Sequence, residues 1–433
     1  MTILKNLRPK PRNKLHSILL ILFLFQIYYL SSIFYTPQSL EPLEPWTRCD
    51  RGLVYVYDLP PAFNTELLHN CRDLGPWKNS RCDALSNGGF GPRTTTPAWY
   101  WTDMLTGDVM YHARVLKHRC RTTEPGSATA FFIPFYAGVV AGKALFTNDT
   151  PTNRDRQFDE LLTWLQDQPL WRRSNGSDHF IHIGRPTWDL RRRRDEHWGI
   201  SFIYMPAMEQ IMRLTVERAL WDHHDIGVPY PTGFHPKSKL ELDQWLHFVT
   251  NRKRSSLFTF VGAKRNKIKD DFRSILLSHC YNESASCRVV DCSISECHGG
   301  TPEIQEAFLD SDFCLQPKGD TYTRRSIFDC MLAGSIPVFF WRESIAGQYD
   351  WFLGDEPDRL SVFIDRKDVR NGTSIRKVLE GYSKEEVRRL RDKVISLIPN
   401  FIYGDGSGIG KDAFDISLDG VLKRIKGQNK NIR

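Results

Sequence analysis

The sequence predicts an α/β protein of two parallel-sheet halves behind one N-terminal transmembrane helix. Three observations predict it. A charge-free apolar run follows a basic tail. Beyond it, short strand-like runs alternate with segments of helical spacing. That alternation restarts near residue 250. The 433 residues suit two large units, and 41% hydrophobic with 25% charged residues is globular composition, which excludes a mainly disordered or collagenous chain.

The elements follow in order. Residues 1–16 are a cytoplasmic basic tail with Lys5, Arg8, Lys10, Arg12 and Lys14 and no acid. The net charge is +8, and the tail's five cations leave only +3 for the remainder, so the body carries little argument for nucleic-acid binding. Residues 17–35 contain ILLILFLFQIYYLSSIFY, about 27 Å of helix, close to the hydrocarbon thickness. It lacks the small-residue end of a cleaved signal and reads as a signal anchor. With the cations held cytoplasmic, the rest is lumenal. Residues 36–51, with three prolines, are a stem.

Ten cysteines, all beyond the anchor, fit an oxidising lumen and disulfides. Cys280, Cys287, Cys292 and Cys297 are close enough for zinc, but they lack a CxxC knuckle, so zinc is the weaker reading. Glycosylation sequons stand at Asn148, Asn175, Asn282 and Asn371.

Residues 52–250 form the N-terminal half. Its strands are read at Leu53–Tyr57, Ala128–Pro134, Phe180–Ile183 and Ile200–Met205, with helical spacing over Met104–Leu116 and Phe158–Leu165. Residues 251–433 form the C-terminal half, entered through a helix over Leu240–Asn251. Strands are read at Ser256–Val261, Arg288–Asp291, Phe313–Gln316 and Ile336–Phe340, with helices over Thr301–Leu309 and Arg324–Ala333. A cleft between such halves is the natural site, beyond the carboxyl ends of the strands.

The segment Phe313–Phe340, FCLQPKGDTYTRRSIFDCMLAGSIPVFF, reads strand, loop, helix, strand. Gly319 allows a tight turn, and Thr321 or Thr323 can cap the helix. A helix N-terminus with Arg324 and Arg325 is a diphosphate cradle in outline. Asp329, four residues after Arg325, could accept from ribose hydroxyls; the bland alternative is an intrahelical ion pair.

This run closely resembles the exostosin-like family of inverting glycosyltransferases. VYVYDLPPAFN (54–64), FFIPFYAG (131–138), GRPTWDLRR (184–192), DIGVPYPTGFHP (225–236) and FTFVGAKR (258–265) are similar to its plant xyloglucan galactosyltransferase branch. The resemblance implies a GT-B fold of two Rossmann-like domains facing a cleft. The nucleotide-sugar is then bound mainly by the second: Arg324, Arg325 and Ser326 near the diphosphate, Asp329 at the ribose, and Lys264 and Arg265 as basic diphosphate contacts. Gly319 and Thr323 complete the donor set. It implies an inverting β-galactosyl transfer from UDP-galactose to xylosyl branches of a xyloglucan acceptor. The setting is a single-pass type II protein of the Golgi membrane, with other cell-wall glycosyltransferases as complex partners. No cofactor beyond the UDP-sugar co-substrate and no metal is expected, because Asp310-Ser311-Asp312 lies opposite the binding edge and reads as a solvated turn. The catalytic base is sought in the first half among Asp58, Asp189, Asp225, His182 and His197, with Asp189 preferred and a salt bridge to the Arg191–Arg194 run as its bland alternative. Other donors, galacturonic acid or arabinose, remain open. So does a non-catalytic polysaccharide-binding role, for which Trp99, Tyr100, Trp101, Trp188 and Trp198 could stack sugars.

Overall fold

The computed structural model describes residues 26, 49–69, 82–265, 268, 271–295, 297, 301–406 and 408–431. The basic tail and the anchor segment, Gln26 apart, lie outside the described residues, as does the stem up to Arg48. No described helix is long and apolar enough to cross a membrane. Contacts divide the chain at Arg48, and everything below concerns the unit Cys49–Arg433.

Two all-parallel sheets organise this unit. The first holds β1 (Val54–Val56), β2 (Arg121–Thr122), β3 (Ala130–Ile133), β4 (His179–Ile183), β5 (Met212–Thr215) and β6 (Asp225–Gly227), in the order β2-β1-β3-β4-β5-β6. The second holds β7 (Ser256–Gly262), β8 (Cys287–Asp291), β9 (Ser311–Gln316), β10 (Ile336–Phe339) and β11 (Val362–Phe363), in the order β11-β10-β9-β7-β8. Both orders reverse beside the first strand, between β1 and β3 and between β7 and β9. In open parallel sheets such a reversal opens a crevice at the carboxyl ends of those strands.

Strand pleating explains the continuous apolar runs. Phe131 and Ile133 of β3 and Ile181 and Ile183 of β4 feed one core, while Phe132 and Phe180 feed the core on the opposite face. Both faces are covered, so alternation of polar and apolar residues is absent, as buried parallel sheets require. Helices α1 (Gly107–Lys117), α2 (Ala137–Leu145) and α3 (Pro151–Gln166) belong to the first half. In α3, Thr150 caps the Asn153 N–H, Pro151 starts the helix, and Phe158, Leu161, Leu162 and Leu165 line its buried face. Each such side chain contributes about 1.5–3 kcal/mol of burial, so Phe158→Asp would detach the helix.

Helices α4 (Lys239–Asn251), α5 (Phe272–Asn282), α6 (Pro302–Leu309), α7 (Arg325–Leu332) and α8 (Lys384–Ser396) follow. A capping box between Ser383 and Glu386 starts α8. The last helix, α9 (Ala413–Asn431), returns to the first half. Phe414 and Leu418 join the core with Phe132, Phe180 and Leu214. Ser417 Oγ lies 2.6 Å from the Tyr111 hydroxyl, Asp419 pairs with Arg51 at 2.7 Å, and Lys426 donates to the Asp50 carbonyl. Ahead of the helix, buried Asp412 pairs with Arg114.

One reading is corrected. Ile200–Met205 is no strand: Ile200, Phe202 and Ile203 are buried in an irregular segment with one 3₁₀ turn, Phe202–Tyr204. The run's apolarity reports burial, and the extended partner of β4 is instead the short β5. The four clustered cysteines follow the preferred disulfide reading and close on one another as Cys280–Cys287 and Cys292–Cys297. Cys49–Cys120 and Cys314–Cys330 are also bridged.

Candidate functional site

The second sheet's reversal point lies between β7 and β9, and the residues leaving those two strands meet there. Arg265 follows β7, and Gly319 lies in the loop after β9. Arg265 Nη1 donates to the Gly319 carbonyl at 3.2 Å, its Nη2 pairs with Asp320, and its backbone N–H is held by Asp271 at 2.8 Å. The Arg324 guanidinium lies across Gly319. A Cβ at position 319 would stand 2.1 Å from Arg324 Nη2 and 3.1 Å from Arg273 Nη2, so a larger residue here would push the guanidiniums aside. Arg265, Arg273 and Arg324 thus converge on one loop.

Arg265 is paired with Asp320, whereas Arg273 and Arg324 have no salt-bridge partner among the described residues. Burial and the guanidiniums of Arg324 and Arg265 push Arg273 down to about 9. Burial also pushes Arg324 down to about 10, with Arg265 opposing its charge while Tyr230 and Glu217 favour it. The buried Nε atoms of both Arg273 and Arg324 have no hydrogen-bond partner among the described residues. Crowded, partly desolvated cations are expensive unless an anion completes them.

The first half supplies one carboxylate to this place. Glu217 lies just beyond β5, and its side chain is buried against the residues preceding α7. The Tyr322 and Thr323 N–H groups donate to it at 3.2 and 2.6 Å, and the Thr323 hydroxyl at 2.7 Å. Thr323 therefore does not cap α7; its hydroxyl turns to Glu217. The N-cap is Arg324, without a side-chain cap bond. Around Glu217 the two halves touch directly. Gln348 Oε1 accepts from the Arg218 N–H at 3.1 Å, and Tyr349 donates to the Val216 carbonyl at 2.7 Å. A side chain on Gly227 would put its Cβ 1.9 Å from the Gln348 carbonyl oxygen.

The other donor-side residues are arranged as follows. Lys264 is exposed. Ser326 Oγ donates to Gln316 Oε1 at 2.7 Å, and Gln316 returns a bond to the Ser326 carbonyl, fixing the end of β9 to the start of α7. Arg325 and Asp329 are both buried and paired at 3.0 Å, and Arg325 also donates to the Thr102 carbonyl of the first half. Burial lifts Asp329 above the usual carboxylate range, although Arg325 opposes the rise.

The first-half candidates are dispersed. Asp189 is buried, paired with Arg185 at 2.7 Å and bonded by Trp198 Nε1 at 3.3 Å; the Arg191–Arg194 run is not its partner. Asp225 is fully buried between Arg191 and Arg213. Burial pushes His182 down to about 3, and its ring stacks on Tyr111. Asp58 and His197 are exposed. Sequence reasoning missed Glu217 and Arg273. No motif marks either; the only signal for Glu217 is its place just after the LT of a short strand, at the carboxyl edge.

Asp310 and Asp312 differ from the expected solvated turn. Asp310 pairs with Arg252 and Arg288, and Asp312 with Arg391, so both carboxylates are committed to cations. The side chains of Asn148, Asn175, Asn282 and Asn371 are exposed.

Comparison with known proteins adds an independent line. The Exostosin GT47 domain model matches residues 48–379. From Arabidopsis thaliana, xyloglucan galactosyltransferase XLT2 is 54% identical over 397 residues, covering 88% of this chain and 77% of that protein. Xyloglucan galactosyltransferase MUR3 is 37% identical, covering 89% and 64%. Xyloglucan-specific galacturonosyltransferase 1 is 35% identical, covering 87% and 58%.

Proposed function

From the premise that the chain belongs to the exostosin GT47 family, we propose that it is an inverting glycosyltransferase moving galactose from UDP-galactose to a xylosyl branch of xyloglucan. The observation that carries this reading is the cluster of Arg265, Arg273 and Arg324 at the reversal point of the second sheet, its positive charge only partly offset by Asp320, faced by Glu217 from the first. A diphosphate supplies the missing negative charge. The two Rossmann-like halves of a GT-B enzyme would present donor and acceptor to one another across this contact.

In the reaction the acceptor hydroxyl oxygen attacks the anomeric carbon of galactose opposite the diphosphate. The bond to the diphosphate oxygen breaks, UDP departs with that electron pair, and an α-linked donor yields a β-linked product. Three guanidiniums stabilise the charge as it develops on UDP. The hydroxyl proton needs a carboxylate facing the donor. We favour Glu217. The diphosphate competes for the Tyr322 and Thr323 N–H groups that hold it, and a displaced carboxylate at that position faces the sugar. Asp189, bound to Arg185 and Trp198, then acts as a positioning residue. Lys264 approaches only the outer edge of the donor. Arg325 and Asp329 form the floor beneath the nucleoside, with Asp329 directed to the ribose. The arginines supply the charge that a metal would otherwise bring, and Asp310 and Asp312, both already paired, are poor ligands for one.

The same reading places the chain in the Golgi membrane as a type II protein anchored by residues 17–35. The four disulfides among the described residues support an oxidising, lumenal setting for the body, and the exposed asparagines fit glycosylation there. The test is a panel of UDP-sugars offered to the purified body with xyloglucan oligosaccharides. Galactose transfer with a β linkage is expected. Transfer of galacturonic acid alone would move the chain to the specificity of its third relative above.

A further inference from the structure

Three aromatic rings from separate segments stand together on the first half, away from any core. Trp188 is 51% exposed, Trp198 41% and Phe146 43%. The two indoles are nearly parallel, 19° apart with centroids at 6.3 Å, and Phe146 lies 5.4 Å from Trp198. Exposed clusters of large rings are uncommon on a surface with no partner. This one is also held in place, because the Trp198 indole N–H donates to Asp189, whose other oxygen is fixed by Arg185.

The cluster is continuous with the proposed reaction site. Trp188 and Asp189 share one 3₁₀ turn, Thr187–Leu190. The N–H of Thr187 in that turn donates to the Glu217 carbonyl at 3.1 Å. The same Glu217 carries the carboxylate seated against Thr323. The turn that carries Trp188 is thus tied by its backbone to the residue that bears the proposed base.

Shape and chemistry select the occupant. A β-linked glucan is a flat ribbon with equatorial hydroxyls at its edges and apolar C–H faces. Two nearly parallel indoles match such a face, and aromatic faces take apolar C–H surface without demanding hydrogen bonds. An acyl surface would call for a broad aliphatic patch, which three isolated rings do not make. We propose that Trp188, Trp198 and Phe146 form the acceptor platform, on which the glucan backbone of xyloglucan lies while its side branch reaches Glu217. The assignment rests on the acceptor reading above, and it names the residues that hold that acceptor.

Two measurements test it on the intact lumenal body. The first is retardation in native gels containing xyloglucan, which requires no turnover. The second is galactosyl transfer kinetics. Trp188→Ala and Trp198→Ala are expected to lose gel retardation and to raise the acceptor KM about 5- to 30-fold, with donor KM and UDP affinity unchanged. Trp198→Phe, which keeps a ring, recovers part of the loss. Phe248→Ala, removing an equally exposed ring (41%) from α4, leaves both readouts alone. Wild-type retardation and acceptor KM in both tryptophan variants would overturn the platform. If the wild-type protein transfers no galactose yet is retarded through these tryptophans, the platform stands and the transfer reading falls. If the wild type neither transfers nor is retarded, both fall.

Discussion

Two arginine clusters, one in each half, are treated in opposite ways. In the first, cations are matched. Arg213 and Arg191 share Asp222 and Asp225, Arg185 holds Asp189, and Arg192 meets Asp155 and Asp195. Arg114 reaches Asp412 ahead of α9. In the second, Arg265, Arg273 and Arg324 repel one another around Gly319, with Asp320 their one salt-bridge partner among the described residues. Matched charges are architecture: removing one partner strands the other. Unmatched charges cost stability in the free protein and return it when an anion arrives. The contrast separates residues that hold the fold from residues that await a ligand, and mutation can break it.

The largest expected effect is on turnover. Glu217→Gln keeps an acceptor for the Thr323 donors but cannot take a proton, so kcat falls about 10²- to 10⁴-fold. UDP affinity is unchanged or higher, since a competing anion has gone. An unaltered kcat in stopped assays would remove Glu217 from the chemistry.

Next is the cost of breaking a matched pair. Arg114→Met leaves Asp412 buried without its counter-ion and costs about 3–5 kcal/mol in denaturant unfolding. A loss below about 1 kcal/mol would show that matched pairs in the first half are not structural.

Arg273→Ala reverses that pattern. It weakens UDP-galactose binding by about 1.5–3 kcal/mol, roughly 10- to 150-fold in donor KM or UDP affinity. Meanwhile the ligand-free protein melts at the same temperature or higher, because a like-charge contact is relieved. A lower melting temperature with normal donor kinetics would make Arg273 structural.

The smallest effect tests an exception within the first half. Asp108 is buried, and its side chain accepts from backbone N–H groups, those of Val109 and Gly138 among them, with no cation in contact among the described residues. Burial lifts it to about 7, above its usual 3.8. A carboxyl raised in the folded state favours folding while protonated, so its contribution is complete below about pH 4 and is lost as pH rises through about 7. Between pH 5.5 and 6.5 the wild type should lose roughly 1 kcal/mol relative to Asp108→Asn, one proton's worth. Parallel stability curves would show that Asp108 is ionised in the fold.

Much of the fold was legible because buried parallel strands and amphipathic helices leave periodic or continuous apolar runs. Leu53–Tyr57, Ser256–Val261, Phe313–Gln316 and the helix before Ile336 were read within a few residues. The rest was illegible for local reasons. β6 is three residues long, too short for any period, and Ile200–Met205 is as apolar as a strand without being extended. At the site, the Gly319 loop, Arg265 and Arg324 carried a readable pattern of glycine and cations at a helix start. Arg273 did not, since an arginine in the first turn of a helix normally faces water. Glu217 did not either, because its importance comes from Thr323, 106 positions away in sequence, and only the folded chain brings them together.

The return of α9 to the first sheet has a consequence for synthesis. Tyr111, Phe132, Phe180 and Leu214 leave the ribosome some 200 to 300 residues before Phe414 and Leu418, which cover them. At about 5–20 residues per second, that apolar face stays open for roughly 10 to 60 seconds during translation. The half made first is thus the half completed last. A chain stopped before residue 413 would present the open face to chaperones however well its second sheet had formed.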